Sequence, residues 1–369
     1  MLKKVFFIFA FWLVAVNAFA LLGLNRLNLE SDTAYTWINP SEFRQEKSWN
    51  LFDLHARWDS DWYLDIARNG YEFRGENKLS NIVFFPLYPA LTHVVSYATG
   101  GNFALAGWLV SIVALFGALI YFMRLIRDFH PDIRPLEPII FLLAFPTAFF
   151  LNAVYTESLF LLFSIGSIYY GLRGNWRAAG IAGVLASLTR VTGLLLFIPL
   201  AWEFWRAHGS RMTSMLQPTF LWLFAIPAGT ASFFLYHWVV FGDPLLFLKV
   251  EKWWGRAFNL NQDHFVFFSN AAISNFALDI LFIVVVVLAA IFVSRRLRVS
   301  YALYMLATLA VALSTGTLMS ISRYILVLFP MFILLASLRN EYIKYGWLFA
   351  SVLLLALNIL LFVSNYWAG

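Results

Sequence analysis

The chain has 369 residues and no cysteine. That excludes disulfides, thiolate nucleophiles and cysteine metal sites. Charge is scarce: Asp, Glu, Lys and Arg make up 12% of residues, where a soluble domain carries about 25%. The six histidines show no paired ligand spacing of the H-E-x-x-H kind, so the sequence offers no metal centre. No Walker A loop appears, which removes the usual sign of ATP drive. No internal repeat or low-complexity tract divides the chain, and residues 1–369 read as one domain.

What is abundant is apolar. Hydrophobic residues reach 61% and aromatics 19%, with 39 Phe and 15 Trp. Apolar runs of about twenty residues recur from end to end, as in a polytopic helical membrane protein. The net charge of +6 does not point to nucleic acid, because the basic residues sit as short clusters at the ends of apolar runs. Those clusters are topology signals. Lys3 and Lys4 precede the first run, Val5 to about Leu24. Ala18-Phe19-Ala20 resembles a signal-peptidase site, but the run continues through Leu21-Leu22, which favours a retained first helix with its N-terminus cytoplasmic.

Further apolar segments fall at about 84–98, 102–123, 136–152, 155–172, 178–205, 217–241, 273–294, 300–318, 321–338 and 345–365. Arg124, Arg127 and Arg134, then Arg173 and Arg177, Arg206 and Arg211, Arg295, Arg296 and Arg298, and Arg339 with Lys344 can all lie inside only if two segments do not cross fully. One is 84–98, broken by Pro86 and Pro89. The other is 178–205, read as two short helices bent at Thr189–Gly193. This predicts 9–11 transmembrane helices. It places a large first outer loop at 25–82 and a second at 242–272. Broken helices at membrane depth are tolerated where they line a cavity.

The densest charge lies in the first loop, R-W-D-S-D-W-Y-L-D-I-A-R-N-G-Y at 57–71. Leu54, Trp58, Trp62 and Ile66 recur every four residues, which on a helix gives an apolar stripe suited to a membrane surface. Arg57, Asp61, Asp65 and Arg68 gather on a separate polar face. Asp59 stands at the N-terminal edge, off that face. It can serve as a helix N-cap, as a reacting carboxylate, or as both. Asp61 and Asp65 share a face with Arg57 and Arg68 and are better placed for ion pairs.

Ionisable residues inside apolar runs are expensive and mark function by default. Glu157 lies in N-A-V-Y-T-E-S-L-F, Arg190 in L-T-R-V-T-G and Arg323 in S-I-S-R-Y, with Tyr324 beside it. A solvated helix start would explain Glu157, and a snorkelling side chain would explain Arg323. The second loop offers Asp243, a candidate substrate-binding residue in a Gly-Asp-Pro turn, then Trp253 and Trp254 followed by Arg256. The tryptophans and Arg256 form either an interfacial anchor or a platform for a sugar or a lipid phosphate. Carboxylates and arginines on one face suit a polar reactant with a lipid tail. The arginines would hold a phosphate, and a carboxylate would take a proton from an attacking hydroxyl. A phosphate on a polyprenyl carrier is already a good leaving group, so metal and cofactor are dispensable.

Several of these stretches together resemble the PIG-V-like mannosyltransferases, relatives of the second GPI mannosyltransferase. They are the 57–71 stretch, F-F-P-L-Y-P at 84–89, F-P-T-A-F-F-L-N-A-V-Y-T-E-S-L-F at 145–160, A-S-L-T-R-V-T-G at 186–193, F-G-D-P-L-L-F at 241–247 and S-R-Y-I-L-V-L-F-P at 322–330. The likeness keeps its order over about 280 residues. It implies the all-α, C-type glycosyltransferase (GT-C) fold. It implies transfer of a sugar, usually mannose, from a polyprenyl-phosphate donor to a hydroxyl acceptor with inversion, and a catalytic aspartate at Asp59. The setting expected is a prokaryotic plasma membrane with the site on the extracytoplasmic face. His93 departs from the pattern, standing where a basic residue, often Arg, is expected. The competing class is a transporter or flippase of a lipid-linked or anionic substrate. It would share broken helices and buried arginines, but commonly shows repeated halves.

Overall fold

The computed structural model describes residues 1–27, 52–75, 78–254, 270–315, 318 and 320–368. Among these residues the regular structure is helical throughout. The first apolar run is one helix, α1 (Leu2–Arg26). It passes Ala18–Ala20 unbroken and packs into the bundle, where Trp12 Nε1 donates to the Leu143 carbonyl at 2.7 Å. A short helix α2 (Asp59–Asn69) follows in the first loop, then α3 (Leu87–Ser96) and the long α4 (Phe103–Phe129). Next come α5 (Glu137–Leu143), α6 (Glu157–Leu172), α7 (Trp176–Thr189), α8 (Phe197–Ala207) and α9 (Leu221–Phe241). The C-terminal part holds α10 (Leu246–Glu251), α11 (Asn270–Arg296), α12 (Val299–Ser314), α13 (Ile321–Leu326), α14 (Pro330–Ser337) and α15 (Glu341–Val363). Five of these, α1, α4, α9, α11 and α15, are long and apolar enough to cross a bilayer.

The expected breaks are present. The ten residues of α3 span about 15 Å, half of a hydrocarbon core of about 30 Å. The 178–205 run divides into α7 and α8 at Arg190, whose backbone is extended, with a 3₁₀ turn Val191–Leu196 between. Two further breaks lie in runs that read as continuous. The 136–152 run stops at Leu143 and resumes as the 3₁₀ turn Ala148–Asn152. The 321–338 run stops at Leu326 and restarts at Pro330. Pro146 and Pro330 supply the cause, since proline lacks a donor and clashes with the preceding turn.

The breaks sort the side chains into two ends. Trp367, beyond the C-terminus of α15, lines the same cavity as Arg190. Asn340 and Lys344, at the other end of α15, line a cavity with Arg134, Arg206, Arg296, Arg298 and Arg339. The 23 residues of α15 separate the two ends by about 35 Å. Met1 lies beside Arg134 at the basic end. Arg134, Arg206, Arg296, Arg298, Arg339 and Lys344, from four of the basic clusters, thus share one end of the bundle.

Glycine lets α7 and α9 approach closely. A Cβ on Gly180 would sit 2.1 Å from the Trp222 carbonyl oxygen, and one on Gly183 would meet Ile226 at 2.5 Å. The first obstacle is backbone and cannot rotate away. Gly180→Ala should therefore lower stability by about 1–3 kcal/mol, the usual cost of overpacking. A Cβ on Gly346, in α15, would have nothing within 4 Å, so Gly346→Ala should be neutral or gain about 0.5–1 kcal/mol from helix propensity. Thermal unfolding of the two variants in detergent measures the contrast; equal midpoints would refute the packing argument.

Candidate active site

The cavity at the first end has a volume of about 120 Å³. Four charged side chains form a chain in and beneath its wall. Arg323 is central. Its Nη1 donates to Asp59 Oδ2 at 2.8 Å and its Nε donates to Glu157 Oε1 at 3.0 Å. Arg190 Nη1 lies 3.1 Å from the same Glu157 oxygen as an ion pair. Glu157 is fully buried and Arg323 nearly so, while Asp59 and Arg190 reach the cavity. The Arg323 guanidinium also lies over the Tyr155 and Phe150 rings, at 4.6 and 4.8 Å from their centroids. Arg190 lies over the Tyr324 ring at 5.3 Å.

Each member is delivered by an interruption in a helix. Glu157 is the first residue of α6. Arg190 follows the last residue of α7. Arg323 sits in the first turn of α13, after Ser320 with φ of +68°. Asp59 is the first residue of α2, after Trp58 with φ of +56°. Positive φ is costly for residues with side chains and gathers at functional sites. Here two such residues, Trp58 and Ser320, both line the cavity. The Trp58 turn is held from several sides. The Tyr155 hydroxyl donates to the Arg57 carbonyl at 2.9 Å and accepts from the Asp59 N–H at 3.2 Å. Trp58 Nε1 donates to the Tyr366 carbonyl, and its ring packs on Trp367.

This turn corrects two expectations. Trp58 occupies the cap position and Asp59 lies inside the helix, with no side-chain cap. Asp59 spends its carboxylate on Arg323 instead. The stripe at Leu54, Trp58, Trp62 and Ile66 does not lie in headgroups either. Leu54 belongs to a separate 3₁₀ turn, Asp53–His55, and Leu54, Trp62 and Ile66 are buried in protein. Trp62 stacks on Phe84 and meets Trp254 edge-on at 5.0 Å. The helical count fails because Ala56 and Arg57 are not helical and Trp58, with positive φ, turns the chain before α2 begins.

The other candidates divide. Trp254 and Tyr324 line the cavity, and the buried Trp254 Nε1 has no hydrogen-bond partner. Arg57 is buried just before α2 and does not line the cavity. Asp61 is half-buried on α2, outside the lining. Asp65 is engaged by Asn81 and Asn69, at 2.8 and 2.9 Å, and by Arg74 rather than by Arg57 or Arg68. Asp243 is not at the cavity: it pairs with Lys249 and accepts from the Leu245 N–H at 2.9 Å, closing the turn between α9 and α10. Arg256 lies outside the described residues. His93 joins α3 to α2 through the Ala67 carbonyl at 2.7 Å. Tyr155, Phe150 and Trp367 were not marked by the sequence, since a buried aromatic in an apolar run is indistinguishable from core. Among the described residues no three His, Asp or Glu side chains gather in a metal-binding group.

A family model described as "Mannosyltransferase (PIG-V)" matches residues 5–215. No curated protein and no solved structure matches the chain.

Glu157 neutralises two arginines in a buried setting. Removing one partner of such a pair costs about 3–5 kcal/mol because a charge is left uncompensated. Glu157→Gln should lower the unfolding midpoint strongly. Asp128→Asn, which breaks exposed pairs with Arg127 and Arg173, should cost about 0–1 kcal/mol. Similar losses for the two would refute the assignment. Asp61 is pushed up to about 6, chiefly by burial, with Arg57 and Arg68 opposing and Asp59 adding to the rise. Its free value is about 3.9. The folded state therefore favours the protonated form, and that stability is present below about pH 3.9 and lost as pH rises through 6. Asp61→Asn cannot ionise. The unfolding midpoint of the parent should fall relative to Asp61→Asn between pH 4 and pH 6; parallel pH profiles would contradict it.

Proposed function

Because this chain belongs to the PIG-V mannosyltransferase family, we propose that it transfers mannose from a polyprenyl-phosphate donor to a hydroxyl acceptor, with Asp59 as the general base. The chain is a glycosyltransferase of the multi-pass, GT-C type, and its described residues are helical in their regular structure, with five long apolar helices among them. The observation that carries the finer reading is the Asp59–Arg323–Glu157–Arg190 chain at a cavity walled by Trp58, Trp62, Trp254 and Trp367. A phosphate needs cations, a sugar needs aromatic faces, and a hydroxyl nucleophile needs a carboxylate. All three lie around one space.

In the proposed step the acceptor oxygen attacks the anomeric carbon from the face opposite the phosphate. The bond from that carbon to the phosphate oxygen breaks, and polyprenyl phosphate leaves with its electron pair. The acceptor proton passes to Asp59. One displacement inverts the anomeric centre. Arg323 and Arg190 receive the phosphate charge; Arg suits this because its fork can make two parallel contacts. Glu157 does not touch substrate in this scheme. It is a positioning residue that holds both guanidinium groups. The leaving group is already a phosphate ester, so the scheme calls for no metal. The reaction is placed on the extracytoplasmic face, away from the basic end of the bundle.

The decisive variant is Asp59→Asn. It keeps the shape and an acceptor for Arg323 but cannot take a proton. General bases contribute about a hundredfold to ten-thousandfold, so transfer from synthetic polyprenyl-phosphate mannose should fall by that range while donor binding persists. Near-parental transfer by folded Asp59→Asn protein would move the base elsewhere and reject this reading.

A further inference from the structure

The basic end of the bundle holds a second and much larger cavity, about 1340 Å³. It lies where the ends of α4, α8, α11 and α14 meet the starts of α5, α12 and α15. Six cations line it: Arg134, Arg206, Arg296, Arg298, Arg339 and Lys344. The proposed transfer chemistry uses none of them.

Most of these charges are matched. Lys344 bridges Glu137 at 3.2 Å and Glu341 at 3.5 Å. Arg134 reaches Glu137 at 3.4 Å. Arg298 lies 3.4 Å and Arg206 4.0 Å from Glu203, just beneath the lining. Asp132 is the remaining carboxylate of the wall. With Glu203 included, six cations face four carboxylates. The excess of two positive charges resides on Arg296 and Arg339. Neither makes an ion pair with any described residue; Arg296 rests only on the Phe292 ring of its own helix. Both side chains are exposed, so their guanidinium groups are available.

A concave wall with two unmatched guanidinium groups attracts anions. Of the common anions, phosphate fits best, because a planar fork matches two of its oxygens. We propose that this cavity is a second, phosphate-binding site, separate from the Asp59 cavity. It would take the phosphate of an anionic lipid headgroup or a free phosphate, held by Arg296 and Arg339. Its place at the end of the long apolar helices gives it access to both sources.

The test uses the full chain in nanodiscs and needs no turnover. Unfolding midpoints are measured in phosphatidylcholine discs, in discs containing phosphatidylglycerol, and in phosphatidylcholine discs with added inorganic phosphate. Lipid adducts are counted by native mass spectrometry. The parent should gain stability with phosphatidylglycerol or with phosphate, since a ligand that binds only the folded state raises its stability. The responding arm identifies the source. Arg296→Ala/Arg339→Ala should unfold at the parental midpoint in phosphatidylcholine alone, and should need at least about tenfold more ligand for the same gain, as expected for loss of charge-assisted contacts. Arg296→Lys/Arg339→Lys should recover part of it. An equal response of parent and alanine variant, or no response of the parent in either arm, would overturn the proposal. Loss of mannosyl transfer elsewhere would leave these readings unaffected.

Discussion

The structure depends on one buried carboxylate, Glu157, shared by two arginines. A charge removed from water costs several kcal/mol unless its partners come with it. Glu157 has no exposed surface, so Arg323 and Arg190 must both reach it. That requirement fixes the positions of the neighbouring helices α6 and α7 relative to α13, which is far from both in the chain. It extends through the second nitrogen face of Arg323 to Asp59, and so to α2 in the first loop. Four segments are thereby tied at one point, and the cavity forms above it.

Charge at this depth also explains the broken helices. A continuous helix presents side chains around an intact hydrogen-bonded core, whereas a helix end presents side chain and backbone together. Glu157 opens a helix, Arg190 follows one, and Arg323 and Asp59 follow residues in strained conformations. Backbone groups freed by a break must find partners where no water serves. Tyr155 supplies two of them with one hydroxyl, accepting from Asp59 N–H and donating to the Arg57 carbonyl. Gly193 supplies space, since a Cβ there would lie 2.3–2.4 Å from the Ala186 and Ser187 backbone. The break after α7 can fold back tightly only without a side chain at that position.

Much of this was legible in the sequence because ionisable residues in apolar runs are few and expensive. Glu157, Arg190 and Arg323 stand out against their neighbours for that reason, Asp59 was marked by the charge-dense first loop and the family resemblance, and the prolines and Arg190 marked two of the breaks. What was not legible is what depends on conformation rather than composition. The four-residue stripe from Leu54 presupposed a helix that the turn at Trp58 interrupts, so its members face protein rather than headgroups. Asp243 looked like a ligand because it lies in a polar turn, yet Lys249, six residues on, neutralises it locally. Tyr155, Phe150 and Trp367 carry no signal of their own. An aromatic over a guanidinium and an aromatic in a core have the same sequence context in a chain that is 19% aromatic.

The bond between Arg323 and Asp59 bears on the order of events in the proposed reaction. The Arg323 guanidinium holds Asp59 Oδ2 at 2.8 Å, so in this arrangement an oxygen of the proposed base is already engaged. The same guanidinium is the group proposed to meet the donor phosphate. A phosphate arriving beside Arg323 would compete with Asp59 for its Nη1, while Glu157 keeps hold of Nε. On the proposed reading the donor thus loosens the tie on its own base, and the Asp59 oxygen is freed for the acceptor hydroxyl only when a sugar phosphate is present to react. The arrangement works only because Glu157 binds a different nitrogen from Asp59. With one carboxylate fixed and the other exchangeable, Arg323 can turn from base to phosphate without leaving a buried charge unpaired.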